Sequence, residues 1–204
     1  MNNIIKIELP EGTEAEWKEI GGKIVLVEEK KADNRPVIER IKTFEDACNE
    51  LGRMAEKGDD TAANLLSDYE SNGNNILVKQ TLATMKLSII AHALNEGWQP
   101  QFTKGEYRYH PWFYLYTQEQ IDRMDKEEKK KLWLFSSNSD NGAMYGLASV
   151  RSGGGWVNSV ADFSALLAVK TAELSYYFGQ QFIEIWADYV GPFNCKQAGK
   201  LPAN

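Results

Sequence analysis

Residues 107–116 read YRYHPWFYLY, and the fold class turns on this run. Aromatic side chains crowd it at a density that suits a pleated strand rather than a helix. With Trp98 and Phe102 included, eight of the 23 aromatic residues of the chain fall within 19 positions. Pro111 has no N–H to give to a ladder, so the strand lies on an edge or carries a bulge. Alternation sends Tyr107, Tyr109 and Phe113 to one face and Trp112, Tyr114 and Tyr116 to the other. One face serves as core, while the other is covered by a helix or left open to stack on bases or sugars. Burial is the commoner fate, because each ring hidden from water removes about 150–250 Å². His110 reads as a satisfied strand residue.

Outward from this strand the pattern is helical on both sides. Thr43-x-x-Asp46 has the form of a capping box, and Phe44, Cys48, Leu51 and Ala55 follow at helical spacing. A short helix is expected over 61–70 and a turn over 71–75. The longest periodic run, 76–96, carries Leu82, Met85, Ile89, Ile90, Ala93 and Leu94 and stops at Gly97. Thr117-x-x-Gln120 opens a charged helix. Thr171 caps a last one over 171–190, with Leu174, Phe178, Phe182, Ile185 and Tyr189 as its stripe. Residues 4–9 and 23–28 read as a hairpin, and 132–135 and 164–169 as core strands. The expectation is an α+β fold: an antiparallel sheet packed against three main amphipathic helices, 43–57, 76–96 and 171–190. A single domain spans 1–190, with an N-terminal β-hairpin in 1–30, a helical part over 43–96 and mixed sheet and helix over 107–190. Residues 191–204 form a loose tail.

Composition narrows the function classes. The chain has 204 residues, with 29 acids against 23 bases and a net charge of −6. That balance disfavours binding nucleic acid through bulk charge, although it leaves room for a local basic patch. Cys48 and Cys195 are too few for a disulfide framework or a four-cysteine zinc site. No run approaches the roughly 18–20 apolar residues of a membrane span, and the first ten residues read as a strand rather than a signal peptide. A cytoplasmic or virion-associated protein is expected.

The usual chemical signatures fail one by one. Asp68-x-Glu70-x-Asn72-Gly73 imitates a calcium loop, but Lys79 stands where a bidentate glutamate is needed. His92 and His110 lie on different elements without a ligand at metal spacing. Gly153-Gly154-Gly155 lacks the Lys-Ser/Thr of a phosphate cradle, and reads as a tight loop. No nucleophile elbow occurs, and the carboxylates sit in polar runs that do not raise a pKa. No catalytic residue, metal ligand or cofactor is assigned, which favours a non-enzymatic protein.

Three blocks resemble a family of proteins found in phages and mobile elements of gut bacteria: ALNEGWQP at 93–100, YRYHPWFYLYT at 107–117 and AVKTAELSYYFGQQFIEIWADY at 168–189. The resemblance covers roughly residues 40–190 and implies such an origin without an activity. FSSNSDNGAMYG at 135–146, followed by RSGGGW, is also similar to C-type-lectin-like variable domains diversified by retroelements. Those domains end at their final strand, whereas a helix follows here. Gln99-Pro100-Gln101 also lacks the carboxylate of the calcium-dependent sugar motif.

Residues 136–164 are rich in Ser, Gly and Asn with scattered Tyr and Trp, the composition of an adaptable contact loop. The expected function is a binding protein of phage or mobile-element origin that presents this loop to a protein or glycan. Tyr145, Arg151, Trp156 and Asn158 are the expected anchors, with Trp112 and Tyr114 beside them. The alternatives are a single-stranded nucleic-acid accessory factor that stacks bases on the aromatic strand, and an enzyme with a dispersed site.

Overall fold

In a computed structural model of the chain, the described residues are 8–9, 13–30, 33–101, 103, 105–130, 132–137, 144–155, 165–191 and 195–200. They divide into two compact units, Met1–Pro36 and Val37–Asn204.

The first unit is a hairpin. Strand β1 (Thr13–Ile20) pairs antiparallel with β2 (Lys23–Lys30), and Ile20 faces Lys23 across the turn. Gly21 and Gly22 make the turn with φ of 60° and 75°, values that L side chains resist. The strand read over 23–28 is present, but its partner is TEAEWKEI rather than 4–9. Residues 4–7 lie outside the described ones, and Glu8 and Leu9 belong to no strand. Glutamates at 16 and 19 mask the alternation of β1 in the sequence, because a two-stranded ribbon leaves charged side chains in water at little cost.

The second unit holds the helices and a four-stranded sheet. Helix α1 (Val37–Arg40) leads to α2 (Phe44–Glu56). The capping box that opens α2 is complete: the Thr43 hydroxyl accepts from the Asp46 N–H at 3.1 Å, and the Asp46 carboxylate accepts from the Thr43 N–H at 2.8 Å. Helix α3 (Asp60–Asn72) is capped by Asp59, and α4 (Lys79–Asn95) follows. From Leu87 to Asn95 every residue of α4 is buried, the mark of a helix surrounded by others rather than lying on a surface. Glu96 ends α4 in the left-handed region at φ 50°. Arg40 and Lys170 hold its carboxylate at 2.6 Å and 2.9 Å. Arg40 also meets the nearly buried Glu50 at 2.8 Å, which pins α1 to α2.

Strand β3 (Arg108–Tyr116) is the aromatic run. Helix α5 (Gln118–Arg123) opens with the Thr117–Gln120 capping box, and α6 (Lys126–Lys130) leads to strand β4 (Trp133–Ser137). Strand β5 (Met144–Gly155) precedes helices α7 (Ala172–Gln181) and α8 (Ile183–Val190), and strand β6 (Cys195–Lys200) follows them. The sheet order is β3-β5-β4-β6, antiparallel throughout. β3 therefore occupies an edge, as Pro111 requires.

Four expectations change. The loop read over 136–164 contains a twelve-residue strand that pairs on both sides at the centre of the sheet. Its Gly and Ser residues are weak strand formers, yet aromatic neighbours across the ladder make up for that. Residues 165–167 form a 3₁₀ turn instead of a strand, and only Val169 bridges β3, opposite Tyr109. The tail contributes β6, which needs little more than its backbone to pair with β4. The last helix breaks at Phe182 into α7 and α8.

Of the three expected helices, the C-terminal one lies directly on the sheet: α7 packs on β3 and β5, and α8 on β4. Helix α4 packs behind α8, and α2 with α3 behind α4. At the join, fully buried Trp186 meets Phe113 at 5.1 Å and Phe178 at 4.9 Å between ring centres. The contact with Phe113 is tilted and that with Phe178 edge-on, and aromatic pairs of this kind add about 0.5–1.5 kcal/mol to what burial alone contributes.

Candidate binding face

Strand β3 exposes one aromatic face because Tyr109 and Phe113 on its other face are taken up by the core. Tyr109 and Phe113 pack against the main core cluster, and Pro111 between them is buried. The alternate residues point the opposite way. Trp112 is 53% exposed and Tyr114 50%, while His110 and Tyr116 are half-buried. Tyr116 leans on Ile121 and Leu132, which anchors the far end of the row.

The row is ordered by its own contacts. The Trp112 indole N–H donates to His110 Nε2 at 3.1 Å, and the two rings lie within 26° of parallel. That bond requires Nε2 to be unprotonated. The Tyr114 and Tyr116 rings follow at 6.1 Å between centres. An ordered ring loses less freedom when a ligand stacks on it, so the arrangement favours binding before any ligand arrives.

The neighbouring strand keeps this face open. Register sets Gly153 across from His110, Ala148 across from Tyr114 and Gly146 across from Tyr116. Arg151 stands across from Trp112. Trp112 and Phe113 face Arg151 and Ser149, so Val150 is an extra residue on β5 and the alternation of β3 is undisturbed. The four strands contain Arg108, Arg151, Lys196 and Lys200 and no Asp or Glu, in a chain where acids outnumber bases. The negative charge of the protein is carried elsewhere.

Of the residues singled out in the sequence, Trp112 and Tyr114 share the outward face of β3, and Arg151 is across from Trp112 in the register. Tyr145 pairs with Phe135 on β4 instead. Trp156 and Asn158 lie outside the described residues.

A second polar constellation joins residues far apart in the chain. His92 Nε2 lies 2.9 Å from Asp59 Oδ2, and Asp59 Oδ1 accepts from the Ala62 N–H at 3.0 Å. Burial alone would raise the Asp59 pKa, but hydrogen bonds from Ala62, His92 and Thr61 together hold it below the usual aspartate value. Asp59 borders an open cleft of about 540 Å³ that Asp60, Thr61, Glu96 and Gln99 also line. Both Asp59 oxygens are engaged, so the pair acts as a joint between α3 and α4. Sequence reasoning missed it because 33 residues separate the partners. Among the described residues no group of three His, Cys, Asp or Glu side chains is placed to hold a metal ion. No described helix is long and apolar enough to cross a membrane.

Compared with known protein families, curated proteins and solved structures, the chain matches none.

Proposed function

We propose that this chain is a binding protein whose contact surface is the outward aromatic face of β3, and that its ligand is single-stranded nucleic acid. The observation that carries the reading is the outward row of half-exposed Trp112 and Tyr114 on β3, with Arg151 across from Trp112 in the register, within strands that hold cations and no carboxylate. Aromatic side chains on an antiparallel sheet offer every base a π-face, and each stacked base contributes about 1–3 kcal/mol without regard to sequence. Arg151, across from Trp112 in the register, is the residue expected to meet phosphate. The net charge of −6 argues less strongly against this than composition suggests. Charges more than about 10 Å away are largely screened at ordinary ionic strength, so the local complement of the sheet governs the encounter.

Display of 136–164 as one open loop loses its basis, since Met144–Gly155 is paired into the sheet. An origin in a phage or mobile element belongs to the same proposal, and gene neighbours involved in replication would support an accessory role.

The test is titration of labelled single-stranded DNA and RNA by fluorescence anisotropy at several salt concentrations. Binding that weakens with salt, and that falls about tenfold or more in Trp112→Ala, supports the reading. Failure to bind any single strand at low salt, with an oligosaccharide quenching Trp112 instead, would replace nucleic acid by glycan as the ligand.

A further inference from the structure

The outward row on β3 also constrains how a strand can lie on it, a point that rests on the reading of this face as a site for single-stranded nucleic acid. The Trp112 indole N–H and the lone pair of His110 Nε2 lie in the planes of their rings. The bond of 3.1 Å between them, with the planes within 26° and the ring centres 6.4 Å apart, therefore sets the two rings edge to edge. His110 precedes Trp112 along the strand, so the bond runs along the row and the indole turns an edge, not a face, toward its neighbours in it. A base can then stack only against the exposed face of the indole, not between rings. The next ring in the row is Tyr114. Two residues of antiparallel strand advance about 6.8 Å, and no residue is inserted on β3 between 112 and 114. Tyr116 follows with its ring centre 6.1 Å from that of Tyr114, but it leans on Ile121 and Leu132 and is half-buried, as is His110. The row thus offers two exposed rings, Trp112 and Tyr114.

We infer that this face takes two successive nucleotides of a drawn-out strand, one base against Trp112 and the next against Tyr114, with the two bases side by side and unstacked from each other. In a helical strand neighbouring bases lie face to face about 3.4 Å apart. The two rings stand about twice that distance apart, and the indole presents its edge along the row, so a stacked strand cannot serve both. A sugar–phosphate unit covers the gap only when the strand is pulled out of its stack. What that costs depends on the bases. Adenines stack strongly on one another and thymines or uracils weakly, so the site selects oligopyrimidine over oligoadenylate. An adenine does offer each ring more surface than a thymine. That gain is made twice, whereas the stacks lost number three: one between the two bases and one at each flank. The loss governs the choice. His110 is a positioning residue here, since it holds the plane of the indole.

Anisotropy titrations with oligothymidylate, oligoadenylate and their duplex, all of one length and at one salt concentration, test the inference. Phosphate charge is the same in the two single strands, so a difference in affinity reports the bases. Oligothymidylate is expected to bind about threefold or more tighter than oligoadenylate, and the duplex about tenfold or more weaker than either. A strand with two adjacent thymines among abasic sites is expected to bind about tenfold tighter than one whose two thymines are separated by a single abasic site. In His110→Ala the indole can turn its face to a stacked strand, and the two homopolymers are expected to come within about twofold of each other while the melting curve is unchanged. Oligoadenylate bound as tightly as oligothymidylate, separated thymines bound as tightly as adjacent ones, or a folded His110→Ala that keeps the full preference overturns the inference and leaves the site in place. A protein that binds neither homopolymer removes the reading of the face as well.

Discussion

The two faces of β3 belong to different regimes although their residues alternate along one strand. Inward, Phe113 touches Trp186, which is 0% exposed and wedged against Phe178. Outward, Trp112 and Tyr114 keep half their surface in water. The same residue class is thus used for cohesion on one side and for contact on the other, and what separates the two is whether a helix lies over the face. α7 and α8 cover the inner one. Aromatic content alone says nothing about which regime a ring belongs to.

That contrast can be broken most forcefully from the inside. Phe178→Ala removes a fully buried ring that contacts both Phe182 and Trp186, and is expected to cost about 3–5 kcal/mol of stability in chemical denaturation. A cost below about 1 kcal/mol would mean that the helical layer is far looser than its burial suggests.

The joint between α3 and α4 sits between the extremes. Asp59→Asn keeps a capping side chain but loses the charge opposite His92, and is expected to cost about 1 kcal/mol at neutral pH. The Asp59 pKa is depressed in the folded state. Its charge therefore contributes stability that is fully present above the unfolded aspartate value of about 4 and is lost as the pH falls through the folded one. The gap between wild type and Asp59→Asn should accordingly close on acidification below about pH 4. A gap that persists there would assign the effect to shape rather than charge.

The smallest effect is expected on the outside. Trp112→Ala and Tyr114→Ala remove rings already half in water, so thermal unfolding should shift by no more than about 0.5–1 kcal/mol, even where binding is lost. A loss as large as that of Phe178→Ala would show that the outer row is part of the core.

Much of the local architecture was legible in the chain itself. Both capping boxes, at Thr43 and Thr117, stand where their spacing places them, because a cap depends only on residues three apart. Pro111 marked β3 as an edge or bulged strand, since a missing N–H is a property of the residue and not of its surroundings. The α+β class followed from switches between the two hydrophobic periods.

Partnership was not legible. Neither the glycines of β5 nor the polar run of β6 looks like a strand, and each becomes one because an aromatic or apolar strand lies beside it. Asp59 and His92 meet only once α3 is folded against α4. Local sequence determines what a few neighbouring residues can satisfy among themselves: caps, turns and the face each side chain takes. Which aromatic face is covered, and which residue stands across from Trp112, depends on contacts across long stretches of chain, and the tertiary structure alone decides them.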